Sequence, residues 1–485
     1  MRLTTIQFFF LIVTMLLGLL PGFLQAGKIK SADEYSVGGR NAGMGMVAGC
    51  IISTIVGGAA TVGTAQLGFK IGLPAWWFTL GSGIAFIIMA YIYAKPLRES
   101  GLTTIAQYME IKYGVKAGIL AGVSASMGIF FSIVASSLTA INLISSIFGI
   151  NLSLSVFIIM TVAGAMIFFG GLNGSGLAGI FKIGIIFITV FLGGVLAYVD
   201  MNHLGGMKSV IVDDKWFSLF GHGLQNSLIN LLSMIMGVVS TQSYIQAVFS
   251  AKDSATAKRG CIIAAITVIP IGLPSVVIGM FMSVHHPEIN PIDALPMYLL
   301  NYLPEFLGGV GIAALLLSAL GSIAGLAFGV STMLTNGVIQ KIFKNLSDER
   351  LLNISRLNVL LVIIGAVLFT CYHLDSSVLE WNFLSMALRG SGIFLPLTFA
   401  VLTTKKINAS TGFYAMSVGI ITNCLWNKLQ IAAVDGLLVS VFVSFLIFVP
   451  ELIRKSQNKT IEVVQMRINS TSDYMMDEEH NEIKN

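Results

Sequence analysis

Residues 51–72 read IISTIVGGAATVGTAQLGFKIG, and no other stretch constrains the chain as much. The run is apolar and carries no charge before Lys70, so it can enter a bilayer as a helix. Near its middle sits the pair Gly57-Gly58, with Ser53, Thr54, Thr61, Thr64 and Gln66 around it. Two adjacent glycines each weaken a helix by roughly 1 kcal/mol relative to alanine. In lipid, backbone groups freed by a break must find partners, so a break persists only inside protein or beside a cavity. A membrane helix interrupted in this way points to a transporter's binding site. A close helix–helix contact through small residues fits the same stretch.

The rest of the composition fixes the class. Only 11% of the 485 residues are charged, 55% are hydrophobic and the mean hydropathy is +0.86. A soluble domain carries about 25% charged residues. The apolar runs are about 20 residues long, not the alternating 10-residue runs of a barrel, so the chain is an all-α integral membrane protein. The formal net charge of +5 belongs to basic loops and does not point to nucleic acid. Cys50, Cys261, Cys371 and Cys424 lie far apart in apolar segments, without a CxxC or metal-ligand spacing. No Ser/His/Asp set, phosphate loop or metal cluster stands in the spans. No catalytic residue and no cofactor is therefore expected, and a membrane enzyme is a distant reading.

In chain order, Leu3–Ala26 reads as a retained leading helix. A cleaved signal peptide is the rival, with Arg2 in front and small residues at the end. The run is long for a signal, and the following loop (Lys28, Lys30, Arg40) is more basic than the N-terminus, which puts that loop in the cytoplasm and the N-terminus outside. Further spans are expected at residues 43–69 (the broken helix), 75–94, 117–148, 152–169, 180–198, 224–249, 261–284, 308–334, 357–371, 383–402, 413–429 and 437–449. That makes about thirteen on a roughly 20-residue ruler. A Gly-rich turn, GGLNGSGLAG, precedes residue 180, and a polar external loop covers residues 200–222. Lys and Arg gather on alternate loops (Lys252, Lys258, Arg259; Lys341, Lys344, Arg350; Lys405, Lys406), which places the tail from Arg454 inside. That tail, residues 454–485, is polar and expected to be disordered.

Four motifs then occur in order on consistent sides of the membrane: SADEYSVGGR (Ser31–Arg40), TTIAQYMEIKYG (Thr103–Gly114), TQSYIQAVFSAKDSATAKRG (Thr241–Gly260) and the run from Ile289 to Ser322. Together they resemble the sodium:solute symporter family. The resemblance implies a LeuT-like fold: two five-helix repeats of inverted topology, here residues 43–199 and 223–403. A leading helix (1–30) would precede them, and two trailing helices (404–453) would follow. The span 224–249 carries its own interruption at Gly237, Ser240, Thr241 and Gln242, as paired broken helices in such transporters do.

The resemblance also implies a sodium site made of the carbonyls of Ser53 and Val56 with Ser318, Gly321 and Ser322. The last three, at i, i+3 and i+4, share one helix face. The family usually has a hydroxyl at both of the last two positions, and Gly321 lacks one. A small-residue packing face is the other reading of that helix. Lys182 stands where the family commonly has Gln, and the acidic residue common in the turn before that helix is absent near Gly179. Ala247 replaces an Arg often found after Gln246.

Lys182 and Arg389 are the basic residues within apolar spans, each at a cost of about 2.5–3.5 kcal/mol on insertion scales. Lys182 reads as lying near the cytoplasmic end of its helix and snorkelling to the interface. If sodium does not act, it becomes a built-in cation. Arg389, beside Gly390, Ser391 and Gly392, reads either as snorkelling outward or as a planar fork for a carboxylate, with space left by the glycines.

The residues expected at the substrate are Gly57, Gly58, Thr61, Ser240, Gln242 and Arg389. The function expected is secondary active transport at the plasma membrane: sodium-coupled uptake of a small organic solute, with a carboxylate favoured. The partners are then the solute, the sodium ion and the lipid bilayer. Proton-coupled or sodium-independent transport by the same fold is the first alternative. A membrane-embedded solute sensor is the second, and no signalling domain is visible for it.

Overall fold

The computed structural model describes residues 3–25, 31–203, 214–343, 346–403, 407–429 and 435–453. The tail from residue 454, the loop residues 26–30, Lys344 and Lys405–Lys406 lie outside these, as do residues 204–213 of the expected external loop. Regular structure among the described residues is helical. One isolated bridge joins Ala42 to Ala251, just before the first broken helix and just after the second. Its bonds run from Ala42 N to Ser250 O (3.0 Å) and from Lys252 N to Ala42 O (3.1 Å). Arg98 donates to the carbonyls of both Ala251 and Lys252 and fastens this end further.

Helix starts follow local chemistry. Ser31 accepts from Glu34 N, Thr104 and Gln107 form a reciprocal capping box, and Ser347 accepts from Arg350 N. Asp253 accepts from Thr256 N at 2.7 Å and starts the 32-residue helix Ser254–His285. The bonds from Thr256 hold its carboxyl below the usual carboxylate range.

Among the described residues, seven single helices are long and apolar enough to cross a membrane. Two further spans are bent pairs: Met44–Ile55 with Ala59–Ile71, at 63°, and Leu224–Val239 with Gln242–Ser250, at 47°. Shorter apolar helices lie at Thr5–Pro21, Leu152–Phe168 and Gly436–Glu451. The middle of the bundle is the helix Glu305–Leu334 and its extension to Ile342. Its most apolar window is 94% inside protein, against 39% for Asp348–Thr370, which lies at the outside of the bundle. The sequence GGVGIAALLLSALGSIAGLAFGV explains this, because small residues let neighbouring backbones approach. A Cβ on Gly325 would lie 2.5 Å from Thr54 Oγ1, and one on Gly329 would lie 2.2 Å from Ser243 Oγ. The central helix thus touches both broken helices. The leading helix Thr5–Gln25 packs on it too, where a Cβ on Gly18 would lie 2.3 Å from Leu317 Cδ1.

The Gly-rich segment differs from the turn expected. The break is confined to Gly171 (φ 51°, ψ −151°), and the next span runs Gly171–Met201. The later glycines are helical and serve contact. A Cβ on Gly176 would meet Met46 Sδ at 2.4 Å, and one on Gly179 would meet Gly49 O at 2.2 Å. They press this helix onto Met44–Ile55, and Lys182 follows one turn after Gly179.

Candidate functional site at two helix breaks

Helix Met44–Ile55 ends because Val56 leaves the helical region (φ −81°, ψ 72°), and the chain resumes through a wide turn at Ala59–Gly63. The carbonyls released there all find partners, as burial demands. Ser53 O accepts from Lys182 Nζ at 2.7 Å. Thr54 O accepts from Ser322 Oγ at 2.5 Å. Val56 O accepts from Lys182 Nζ (2.7 Å) and from Ser318 Oγ (2.5 Å). Gly57 O accepts from Thr61 Oγ1 at 3.0 Å, and Gly58 O from Gly63 N at 2.7 Å.

The five positions expected around sodium therefore converge, with one addition. Lys182 does not snorkel: it is 2% exposed, and its ammonium points into the break. The reason is the helix start. The span begins at Gly171, so Lys182 sits well inside it, not at its end. Gly321 faces the same point, since a Cβ built there would lie 3.5 Å from Lys182 Nζ and 3.7 Å from Ser53 O. A cavity of about 10 Å³, lined by Ser53, Ser175, Ala178 and Gly321 among others, adjoins it and has room for about one water.

A sodium ion does not fit these residues as they stand. The two carbonyls that would ligate it are held by Lys182, both hydroxyls are donated to backbone, and Gly321 offers no oxygen. Among the described residues no group of three or more His, Cys, Asp and Glu could hold a metal ion.

Gly57 and Gly58 were expected to border open space, and they do not. A Cβ on Gly57 would lie 2.1 Å from Ser322 Oγ, and one on Gly58 would lie 2.3 Å from Thr139 Oγ1. Both readings of this stretch hold at once: the helix is broken, and small residues let it press on the helices Val115–Phe148 and Glu305–Leu334. Thr61 acts on the break itself through the Gly57 carbonyl.

The second break falls at Ser240 and Thr241 (ψ 10° and 116°). Thr241 Oγ1 donates to Gly237 O at 2.6 Å, and Ser240 Oγ is buried without a partner. Gln242 is not free to meet a substrate. Its Oε1 accepts from Ile105 N (2.8 Å) and its Nε2 donates to Thr103 O (2.9 Å).

Arg389 does not reach a headgroup layer either. It is fully buried, the last residue of the helix Val378–Arg389 and one residue before the midpoint of the span Val378–Leu402. Nη2 donates to Ser132 Oγ at 3.1 Å and lies 2.7 Å from Met386 Sδ, while Nε and Nη1 have no partner. Ser132, in turn, donates to Asn382 Oδ1 (3.1 Å) and lies 2.8 Å from Ser385 Oγ, whose own hydroxyl donates to Gly128 O. The flanking glycines leave no open space: a Cβ on Gly390 would meet Met236 Cβ at 3.0 Å, and one on Gly392 would meet Ile420 Cγ1 at 2.7 Å. Ser132, Asn382 and Ser385 were not singled out in the sequence. Their signal there is the polar residue in an otherwise apolar helix.

Comparison with known proteins agrees with this architecture. A Na+-coupled sialic acid symporter, in a substrate-bound outward-open state, superposes with a TM-score of 0.77 over 94% of this chain and 100% of its own, at 17% identity. A nucleobase-cation-symport-1 family transporter in a closed conformation gives 0.57 over 85% of this chain and 93% of its own, at 13% identity. The fold is thus LeuT-like. By sequence, the chain is 26% identical to the human high affinity choline transporter 1 over 429 residues, 82% of this chain and 73% of the relative. It is 24% identical to the osmoregulated proline transporter OpuE of Bacillus subtilis, covering 86% of this chain and 88% of the relative. It is 23% identical to the sodium/sialic acid symporter NanT of Aliivibrio fischeri, covering 84% of each. The model of the sodium:solute symporter family matches residues 35–419, so this multi-pass membrane protein belongs to that family, whose members here are transporters and not enzymes.

Proposed function

We propose that this secondary symporter takes up a small organic carboxylate across the plasma membrane by alternating access. The substrate site lies between the two helix breaks, beside Arg389. Residues 43–199 and 223–403 form the inverted repeats that rock about it, residues 404–453 add trailing helices, the N-terminus lies outside and the C-terminus inside. The bends of 63° and 47° in the two broken spans support this division.

The observation that carries the substrate class is the Arg389 guanidinium, buried in mid-span with two nitrogens unpaired. An isolated charge there is costly, and intramembrane charges characteristically mark a substrate path. A carboxylate satisfies a planar guanidinium through two parallel bonds. Proline and sialic acid, named for two relatives, carry carboxylates. Choline, named for another, is a fixed cation that a buried guanidinium repels.

The test is a ligand-stabilisation screen of the purified protein with matched carboxylates, their amides and quaternary amines, followed by uptake of the stabilising compound into proteoliposomes. Stabilisation by carboxylates and not by their amides supports the reading. Stabilisation by quaternary amines alone overturns it.

A further inference from the structure

We infer that the Lys182 ammonium is the resident cation of the first helix break, covalently tethered where a coupling sodium would otherwise bind. This rests on the reading of the protein as a transporter and is independent of the solute.

The geometry is that of a filled cation site. Two carbonyl oxygens, of Ser53 and Val56, converge on Nζ at 2.7 Å each. Those carbonyls are free because the helix stops at Ile55. The ammonium satisfies both and bridges the broken helix to the span Gly171–Met201, as a bound ion would. From the central helix, Ser318 donates to Val56 O and Ser322 to Thr54 O, so their hydroxyls complete the backbone's needs and are not aimed at a metal ion. Gly321 faces Nζ at the remaining side. The small space there takes the bulk of the lysine head where a second hydroxyl would crowd it. From the helix carrying Lys182, Ser175 turns to Ser53 Oγ at 3.3 Å. Among the described residues, the hydrogen-bond partners of the Lys182 ammonium are the carbonyls of Ser53 and Val56, whose dipoles face its charge.

Two sequence departures that look independent, a lysine gained and a hydroxyl absent, are thus one spatial exchange. A tethered charge cannot be released to the other side of the membrane. This position therefore contributes no sodium to the transport cycle, and the break is held in every state that keeps the two bonds.

The test is sodium binding, which needs no knowledge of the solute. Radiolabelled sodium is equilibrated with the purified full chain, with Lys182→Ala, and with the double variant Lys182→Ala/Gly321→Ser. Emptying the site and supplying the second hydroxyl should raise sodium binding displaceable by unlabelled sodium at least about tenfold above the parent. Ser322→Ala added to the double variant should remove that gain. No gain in a folded double variant overturns the inference. So does sodium binding to the parent that Ser322→Ala abolishes. Thermal unfolding in sodium chloride against N-methyl-glucamine chloride serves where Lys182→Ala fails to fold. A sodium-specific stabilisation of the parent lost on Ser322→Ala would place sodium at the break and overturn the inference, and equal stability of the parent in the two salts supports it. None of these outcomes depends on a carboxylate being carried.

Discussion

Gln242 holds Ile105 across 137 residues of sequence: its Oε1 accepts from the Ile105 amide at 2.8 Å while its Nε2 reaches the Thr103 carbonyl at 2.9 Å. One side chain at the second helix break thereby fixes the start of the helix Ile105–Tyr113, itself closed by the Thr104–Gln107 capping box. Removing it leaves a buried donor and a buried acceptor unsatisfied. Gln242→Leu is expected to destabilise the protein by about 2–6 kcal/mol, the sum of two unpaired polar groups. Thermal or denaturant unfolding in detergent measures it. Gln242→Glu keeps the acceptor but sets a buried carboxylate oxygen against the Thr103 carbonyl, so when ionised it should cost at least as much as the leucine.

Arg389 predicts opposite effects on stability and on binding. The guanidinium is buried with Nε and Nη1 unpaired, so an apolar replacement removes a cost of about 2.5–3.5 kcal/mol on insertion scales. Arg389→Met should raise the melting temperature of the ligand-free protein and abolish stabilisation by carboxylates. Arg389→Lys should keep the charge but weaken carboxylate binding at least about tenfold, because an ammonium lacks the two-bond fork. A Met variant that is no more stable and still binds would place Arg389 outside the substrate site.

Gly57→Ala puts a methyl 2.1 Å from Ser322 Oγ and 2.6 Å from its Cβ. Overpacking of this kind costs about 1–3 kcal/mol. Pairing it with Ser322→Gly removes the obstructing atoms, so the double variant should recover part of the loss. A double-mutant cycle on unfolding free energies reads the coupling, and simple additivity would show that the two do not meet.

Asp253 gives a pH-dependent helix end. Its carboxyl is held below the usual range by bonds from Thr256, so the cap's contribution is fully present above the unfolded value of about 3.9 and is lost as pH falls through the folded value. Amide exchange at the first turn of Ser254–His285 should therefore speed up as pH drops below about 4, after correction for intrinsic rates. Asp253→Asn, which caps without titrating, should remove that dependence.

Much of this architecture is legible from the sequence because the bilayer enforces it. Apolar length, the two interruptions and the motif order located the broken helices at Gly57-Gly58 and at Ser240-Thr241. Polar side chains inside the bundle were harder to place, since hydrophobic periodicity says nothing about which backbone group a glutamine or lysine will reach. Gln242 looked available for a ligand and is occupied by Thr103 and Ile105. Lys182 looked superficial because GGLNGSGLAG reads as a turn by composition, whereas its glycines are helical contacts. Glycine carries both signals, and only the neighbouring helix decides between them.

The contacts of Gly176 and Gly179 with Met46, Gly49 and Cys50 act as a ruler for the buried ammonium. A lysine side chain has a limited reach, so its two 2.7 Å bonds persist only while the two helices stay close. A single methyl at Gly179, a full turn from the charge, would widen that gap, since a Cβ there stands 2.2 Å from Gly49 O and 2.7 Å from Ser53 Cβ. The span of hydrogen atoms between two backbones is what calibrates where the positive charge ends. Gly179→Ala should accordingly mimic the loss of the lysine without touching it.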